Sequence, residues 1–142
     1  MAIKITIITL LLTSIFYSAN SQTYASFNGG IAINKGMVAS IGVGSKTNFG
    51  LTFNGEIRPL VSNSQPALFG LHTGYEYNTF EIGYAGYYVI YSTDKITEDT
   101  RKNVWSNGAY LRKYFFDKFY IEYQYNTKDF HFLTVGIREF IN

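Results

Sequence analysis

From Tyr24 to Ile141 the chain repeats one pattern, a bulky apolar side chain at every second position with small, polar or charged ones between. Alternation of period two marks strands with two unlike faces; an amphipathic helix needs apolar residues at i, i+3, i+4 and i+7, and no window supplies them. Eight segments carry the pattern: Tyr24–Ile33, Met37–Ser45, Phe49–Arg58, Ala67–Tyr77, Phe80–Tyr91, Val104–Phe115, Phe119–Asn126 and Phe130–Ile141. The fold class that follows is all-β. Most segments run 9–12 residues, whereas strands of ordinary globular proteins average about 5–6. A strand crossing a bilayer at a tilt needs about 9–11.

The connections point the same way. Those after segments two, four and six are tight: Lys46-Thr47-Asn48, Asn78-Thr79, and Asp117-Lys118 with its neighbours. Those after segments three (Pro59 to Pro66) and five (Ser92 to Asn103) are long, and the first and seventh are short but polar. Tight turns therefore gather at one end of the strands and long loops at the other, the asymmetry of outer-membrane barrels. An even number of strands also returns both termini to the short-turn end.

Which face touches which medium follows from the side chains. The third segment sets Phe49, Leu51, Phe53, Gly55 and Ile57 against Gly50, Thr52, Asn54, Glu56 and Arg58. The fourth sets Phe69, Leu71 and Tyr75 against Gly70, His72, Gly74 and Glu76; the seventh sets Phe119, Ile121, Tyr123 and Tyr125 against Tyr120, Glu122, Gln124 and Asn126. A soluble lipocalin-type barrel would turn the apolar face inward, and a membrane barrel turns it to lipid. Glycine decides between them. Most glycines ride with the polar side chains, as a crowded eight-strand interior requires, and a water-facing wall so rich in glycine and poor in lysine would be a poor strand surface. The expected architecture is an eight-stranded antiparallel up-and-down transmembrane β-barrel.

The charges fit that orientation. Glu56, Arg58, Glu76, Glu81, Arg112, Glu122 and Arg138 lie on the polar face, while only Lys113 and Glu139 fall on the apolar one, both near a short-turn end. A basic side chain facing lipid costs about 2–4 kcal/mol at the bilayer midplane and about 0–1 near the interface. Phe49, Tyr75, Tyr77, Phe80, Phe115 and Phe119 flank the tight turns, and Tyr88, Trp105 and Tyr125 approach the loops, as two aromatic girdles would.

The N-terminus reads as an export signal. Lys4 precedes the apolar run Ile5 to Phe16, and Ala19 and Ser21 supply small residues at −3 and −1 of a cleavage before Gln22. That run is too short for a spanning helix, which needs about 20 residues. The expected division is residues 1–21 as signal peptide and 22–142 as barrel. A formal charge of +2, with no Lys/Arg run, argues against nucleic acid as a partner. The absence of cysteine excludes disulfides, zinc–thiolate sites and a lipidated cysteine anchor.

In segment lengths, loop asymmetry and face pattern, Gln22 to Asn142 resembles the small eight-stranded outer-membrane barrels of the OmpA-transmembrane-domain and OmpX type. The ending Val135-Gly136-Ile137-Arg138-Glu139-Phe140-Ile141-Asn142 is similar to the last-strand assembly signal of such proteins, although it finishes Phe-Ile-Asn and Glu139 interrupts the apolar alternation. The resemblance implies an outer membrane of a Gram-negative-type envelope, with its lipid and the barrel-assembly machinery as partners.

Little in the chain points to catalysis. Gly42-Val43-Gly44-Ser45-Lys46-Thr47 lacks the glycine directly before lysine and the following helix of a phosphate-binding loop, which leaves Lys46 as a turn residue. His72 and His131 are the only histidines, without metal-ligand spacing. Barrel hydrolases that deacylate lipid A place a serine two residues after a histidine; here Phe132 and Leu133 follow His131. Neither an enzyme nor a cofactor is expected. The inward groups Glu56, Arg58, His72, Glu76, Glu81, Arg112, Glu122 and Arg138 form a candidate lumen charge network, since buried carboxylates need paired cations. Asp94, Lys95, Glu98, Asp99, Arg101 and Lys102 crowd the fifth connection and are candidates for binding an extracellular ligand. The expected function is structural or adhesive, in the envelope. A narrow pore, a lipid-modifying enzyme and a soluble ligand-binding barrel are the alternatives.

Overall fold

The structure, a computed structural model, describes residues 21–33, 36–59, 67–90, 105–127 and 130–141. Eight strands follow in chain order: β1 (Ser21–Ala32), β2 (Gly36–Thr47), β3 (Leu51–Pro59), β4 (Ala67–Tyr77), β5 (Phe80–Ile90), β6 (Trp105–Phe115), β7 (Phe119–Asn126) and β8 (Phe130–Ile141). Each pairs antiparallel with the next, and β1 closes on β8 in a register running from Thr23↔Ile141 to Ala32↔Phe132. Closure leaves no strand edge unpaired, which is what lets a β-structure stand in a medium without water.

The alternation sets the two surfaces. Phe27, Ile41, Ile57, Leu71, Ile82, Leu111, Ile121 and Val135 all point outward and are exposed. Side chains one position along each strand point into the lumen, where Tyr24, Arg58, Tyr87, Tyr114, Phe132 and Arg138 are almost wholly buried. Such a surface is the inverse of a soluble barrel, whose exterior presents few contiguous apolar patches.

Several boundaries differ from those expected of the sequence. β1 opens at Ser21, opposite Thr47, so that of the expected export signal only this residue lies among those described. β2 runs on through Lys46, which pairs with Gln22 and with Thr52. Lys46 is thus a strand residue, not a turn residue. β3 begins at Leu51 instead of Phe49 because Gly50 takes φ 98° and its N–H donates to the Thr47 carbonyl (3.0 Å). An L side chain is strained at that φ, so the turn selects glycine. The Thr47 hydroxyl accepts from the Leu51 N–H (3.0 Å) and locks the new strand's first residue. At the other tight turns Asn78 lies at φ 55°, and Phe116 and Asp117 lie at φ 54° and 60°. Residues 60–66 and 91–104, which hold the long connections, lie outside the described residues.

Candidate functional site

Among the described residues, charged side chains converge in the lumen. Position parity on the strands aims Glu56 and Arg58 (β3), His72 and Glu76 (β4), Glu81 (β5), Arg112 (β6), Glu122 (β7) and Arg138 (β8) inward, and all eight are buried. Lys46 of β2 joins them. Four carboxylates then face four cations.

Glu122 is the centre of the assembly. Arg112 Nε donates to its Oε2 (2.5 Å) and Arg58 Nη2 to its Oε1 (2.9 Å). Arg58 Nε lies 2.8 Å from Glu56 Oε1. The Tyr87 hydroxyl donates to Glu56 Oε1 (2.6 Å) and stands 3.1 Å from Gln124 Oε1. His72 is held from both sides, with Nε2 2.7 Å from the Tyr87 hydroxyl and Nδ1 2.9 Å from Arg112 Nη2. Guanidinium is only a donor, so Nδ1 accepts and the imidazole proton sits on Nε2, donating to the tyrosine oxygen. Glu81 accepts from Thr52 Oγ1 (2.6 Å), from the Tyr110 hydroxyl (2.5 Å) and from the Tyr114 hydroxyl. Nearer the turns, Glu76 accepts from Arg138 Nη1 (2.6 Å) and Lys46 Nζ (2.6 Å).

Aromatic faces complete the solvation of the arginines. The Arg138 guanidinium carbon lies 3.9 Å from the Tyr114 ring centre, Arg112 lies 4.7 Å from Tyr110, and Arg58 lies 4.7 Å from Phe132. In a desolvated site each such contact adds about 2 kcal/mol of attraction. The Tyr87 ring also faces Arg58, at 5.5 Å, and room for it comes from a neighbouring strand: a Cβ at Gly70 would stand 2.4 Å from that ring.

The inner face is not uniformly small or charged, contrary to what the alternation predicts. Toward the loop end Ala32, Val38, Leu68, Ala85, Val89 and Phe132 pack with Tyr87 and Tyr110 into a buried apolar cluster. Along the wall of β1, β3 and β7 the polar groups are less well satisfied. Both amide atoms of Asn54, Oδ1 of Asn28 and Nδ2 of Asn126 are buried without a partner among the described residues.

His131, the second histidine, stands apart from this network; its ring lies 4.7 Å from that of Tyr125 at the loop end. The six charged residues of the fifth connection lie outside the described residues. Sequence reasoning missed Lys46 and the tyrosines 24, 87, 110 and 114. The signal was present, since Gly42, Gly44 and Lys46 share one parity, as do Tyr110, Arg112 and Tyr114. Chemically, the arrangement neutralises charge and fills space. Every ionised group in it already holds a counterion.

No family model and no curated protein matches this chain. Among solved structures it is similar to the solution NMR structure of de novo designed TMB2.3, a transmembrane barrel design, with a TM-score of 0.57 and 15% identity over 88% of this chain and 98% of that one. At that identity the likeness speaks for the eight-stranded antiparallel barrel and for nothing finer.

Proposed function

We propose that the protein is a small non-enzymatic outer-membrane β-barrel, its lumen plugged by its own side chains, acting in envelope structure or in surface binding through its outer loops. One observation carries the reading: the exposed wall is apolar on every strand, while the buried wall holds four carboxylates and four cations in mutual contact. An ion pair inside a barrel is tolerable only when both partners are matched, and a matched set gives the lumen no net charge to attract an ion. An eight-stranded barrel is just wide enough for such a filling. The loops on its rigid rim, with Asp94, Lys95, Glu98, Asp99, Arg101 and Lys102 in the longest, are the natural recognition surface. Residues 1–21 serve as the export signal in this reading.

Envelope fractionation with heat-modifiable gel migration tests it, together with planar-bilayer recording. The folded protein should sediment with the outer membrane, shift in apparent size on boiling, and give no steady conductance. Recovery in the aqueous fraction after osmotic release would overturn the membrane assignment. Regular single-channel steps would replace the plug with a pore, and altered lipid A acylation on expression would make the protein an enzyme.

A further inference from the structure

Among the described residues, Phe116 is the large apolar side chain that stands furthest clear of the barrel, 90% exposed against 68% for Tyr77. It occupies the tip of the β6–β7 turn, and both it and Asp117 lie at positive φ. Hairpins that place two residues there favour Asn-Gly, because a bulky side chain in that region is strained. The turn is nonetheless held firmly. Lys118 N–H donates to the Phe115 carbonyl (3.3 Å), Arg138 N–H to the Lys118 carbonyl (2.8 Å), and Arg138 Nη2 to the Asp117 carbonyl (3.3 Å). Those bonds fix the backbone in a conformation that projects the ring, and no described side chain covers it.

The surroundings of this turn are arranged for a medium poorer than water. Lys113, the outward cation of β6, donates to Thr79 Oγ1 (2.6 Å) and sets its Nζ 3.9 Å from the centre of the Phe80 ring. Glu139, the outward anion of β8, takes Lys118 Nζ on both oxygens at 2.8 Å. Phe115 and Phe119 carry the apolar outer wall down to the base of the turn. Of the other two short turns, Asn78-Thr79 ends in a polar tip, and Asn48-Phe49-Gly50 carries a ring that stands less clear, Phe49 being 52% exposed.

We propose that Phe116 is a membrane anchor, its ring seated at the boundary between headgroups and acyl chains of the leaflet at the short-turn end. The partner is a lipid surface, and the anchor draws the β6–β7 side of the barrel deeper than the β4–β5 side, whose turn tip is polar. Asp117 and Lys118, exposed beside the ring, keep the tip in the headgroup layer and limit its depth. A ring immersed in that boundary recovers the hydrophobic free energy that water denies it. The proposal rests on the membrane reading above.

Trp105 is the only tryptophan, so Trp105→Phe supplies a dark background. In it, Phe116→Trp, Asn78→Trp and Ile82→Trp are compared in phosphatidylcholine vesicles whose chains are brominated near the headgroup; Asn78 shares the positive φ of Phe116 at a polar turn tip. Ile82→Trp and Phe116→Trp should be quenched by bromine and shielded from aqueous iodide, and Asn78→Trp should show the reverse. If Ile82→Trp is quenched while Phe116→Trp responds as Asn78→Trp does, the anchor is wrong and the membrane barrel stands. If Ile82→Trp is itself unquenched, the membrane reading falls and the anchor with it. The chain has no cysteine, so a nitroxide on Phe116→Cys in the otherwise natural sequence gives an independent readout. It should collide more often with dissolved oxygen than with a water-soluble nickel chelate, and the opposite order would overturn the proposal.

Discussion

Toward the short turns the lumen is filled by Glu76, Glu81, Glu122, Lys46, Arg112 and Arg138 among tyrosine rings; toward the opposite end it is filled by Ala32, Val38, Leu68, Val89 and Phe132. Both fillings are buried, yet they tolerate change differently. An apolar packing loses contacts in proportion to the atoms removed and accepts substitutes of similar volume. An ionic packing in a desolvated space is an all-or-nothing arrangement, because removing one partner leaves the other's charge uncompensated. Arg58 sits at the junction, its guanidinium on Glu122 and against the Phe132 ring. It joins the two halves.

The largest effect should come from the ionic half. Arg112 is shared by Glu122, Glu81 and His72. Arg112→Met conserves the bulk of the chain but leaves Glu81 without a cation among the described residues and Glu122 with Arg58 alone, and we expect it to lower the unfolding free energy by about 3–5 kcal/mol. Equilibrium urea unfolding in vesicles, followed by loss of the heat-modifiable band, measures it. An unchanged midpoint would erase the distinction between the two halves.

What the sequence reveals of this arrangement follows from what alternation encodes. Parity along a strand aims Glu56, Glu76, Glu81, Arg112, Glu122 and Arg138 to one side, and the side is legible because their neighbours are Ile, Leu, Phe and Tyr. Partners are not legible. Glu76 meets Arg138 from strands β4 and β8, 62 residues apart, and that contact depends on the stagger of the closed sheet. The apolar half escapes detection for a different reason. Leu68 precedes Phe69 and Phe132 precedes Leu133, so both faces of the strand are apolar there and the alternation that identifies the inner face disappears. Lys46 was obscured by its place beside a turn, where strand ends are least certain from sequence.

A smaller effect tests whether depth in the ionic half sets the cost. Glu76 is bonded by both Lys46 and Arg138, but the Lys46 side chain is 27% exposed and that of Arg138 only 1%. Partial hydration screens the lysine, and Glu76 keeps Arg138 when the lysine is removed. Lys46→Met should therefore cost about 1.5 kcal/mol, well under the loss for Arg138→Met measured in the same urea series. Equal losses would mean that burial does not govern these pairs.

The smallest effect belongs to the apolar half. Leu68 is almost fully buried at the start of β4 and packs within the cluster that includes Val89 and Phe132. Leu68→Met keeps nearly the same volume, carries no charge and leaves every ion pair of the lumen intact. The thioether chain is flexible enough to follow the existing cavity, so the expected loss is about 1 kcal/mol or less. Glu122→Gln is the matching change in the ionic half, since it too preserves shape. There the lost charge deprives both Arg58 and Arg112 of a counterion, and the cost should approach that of Arg112→Met. Equal costs for these two shape-preserving changes would show that packing alone, and not charge matching, holds the barrel's interior closed.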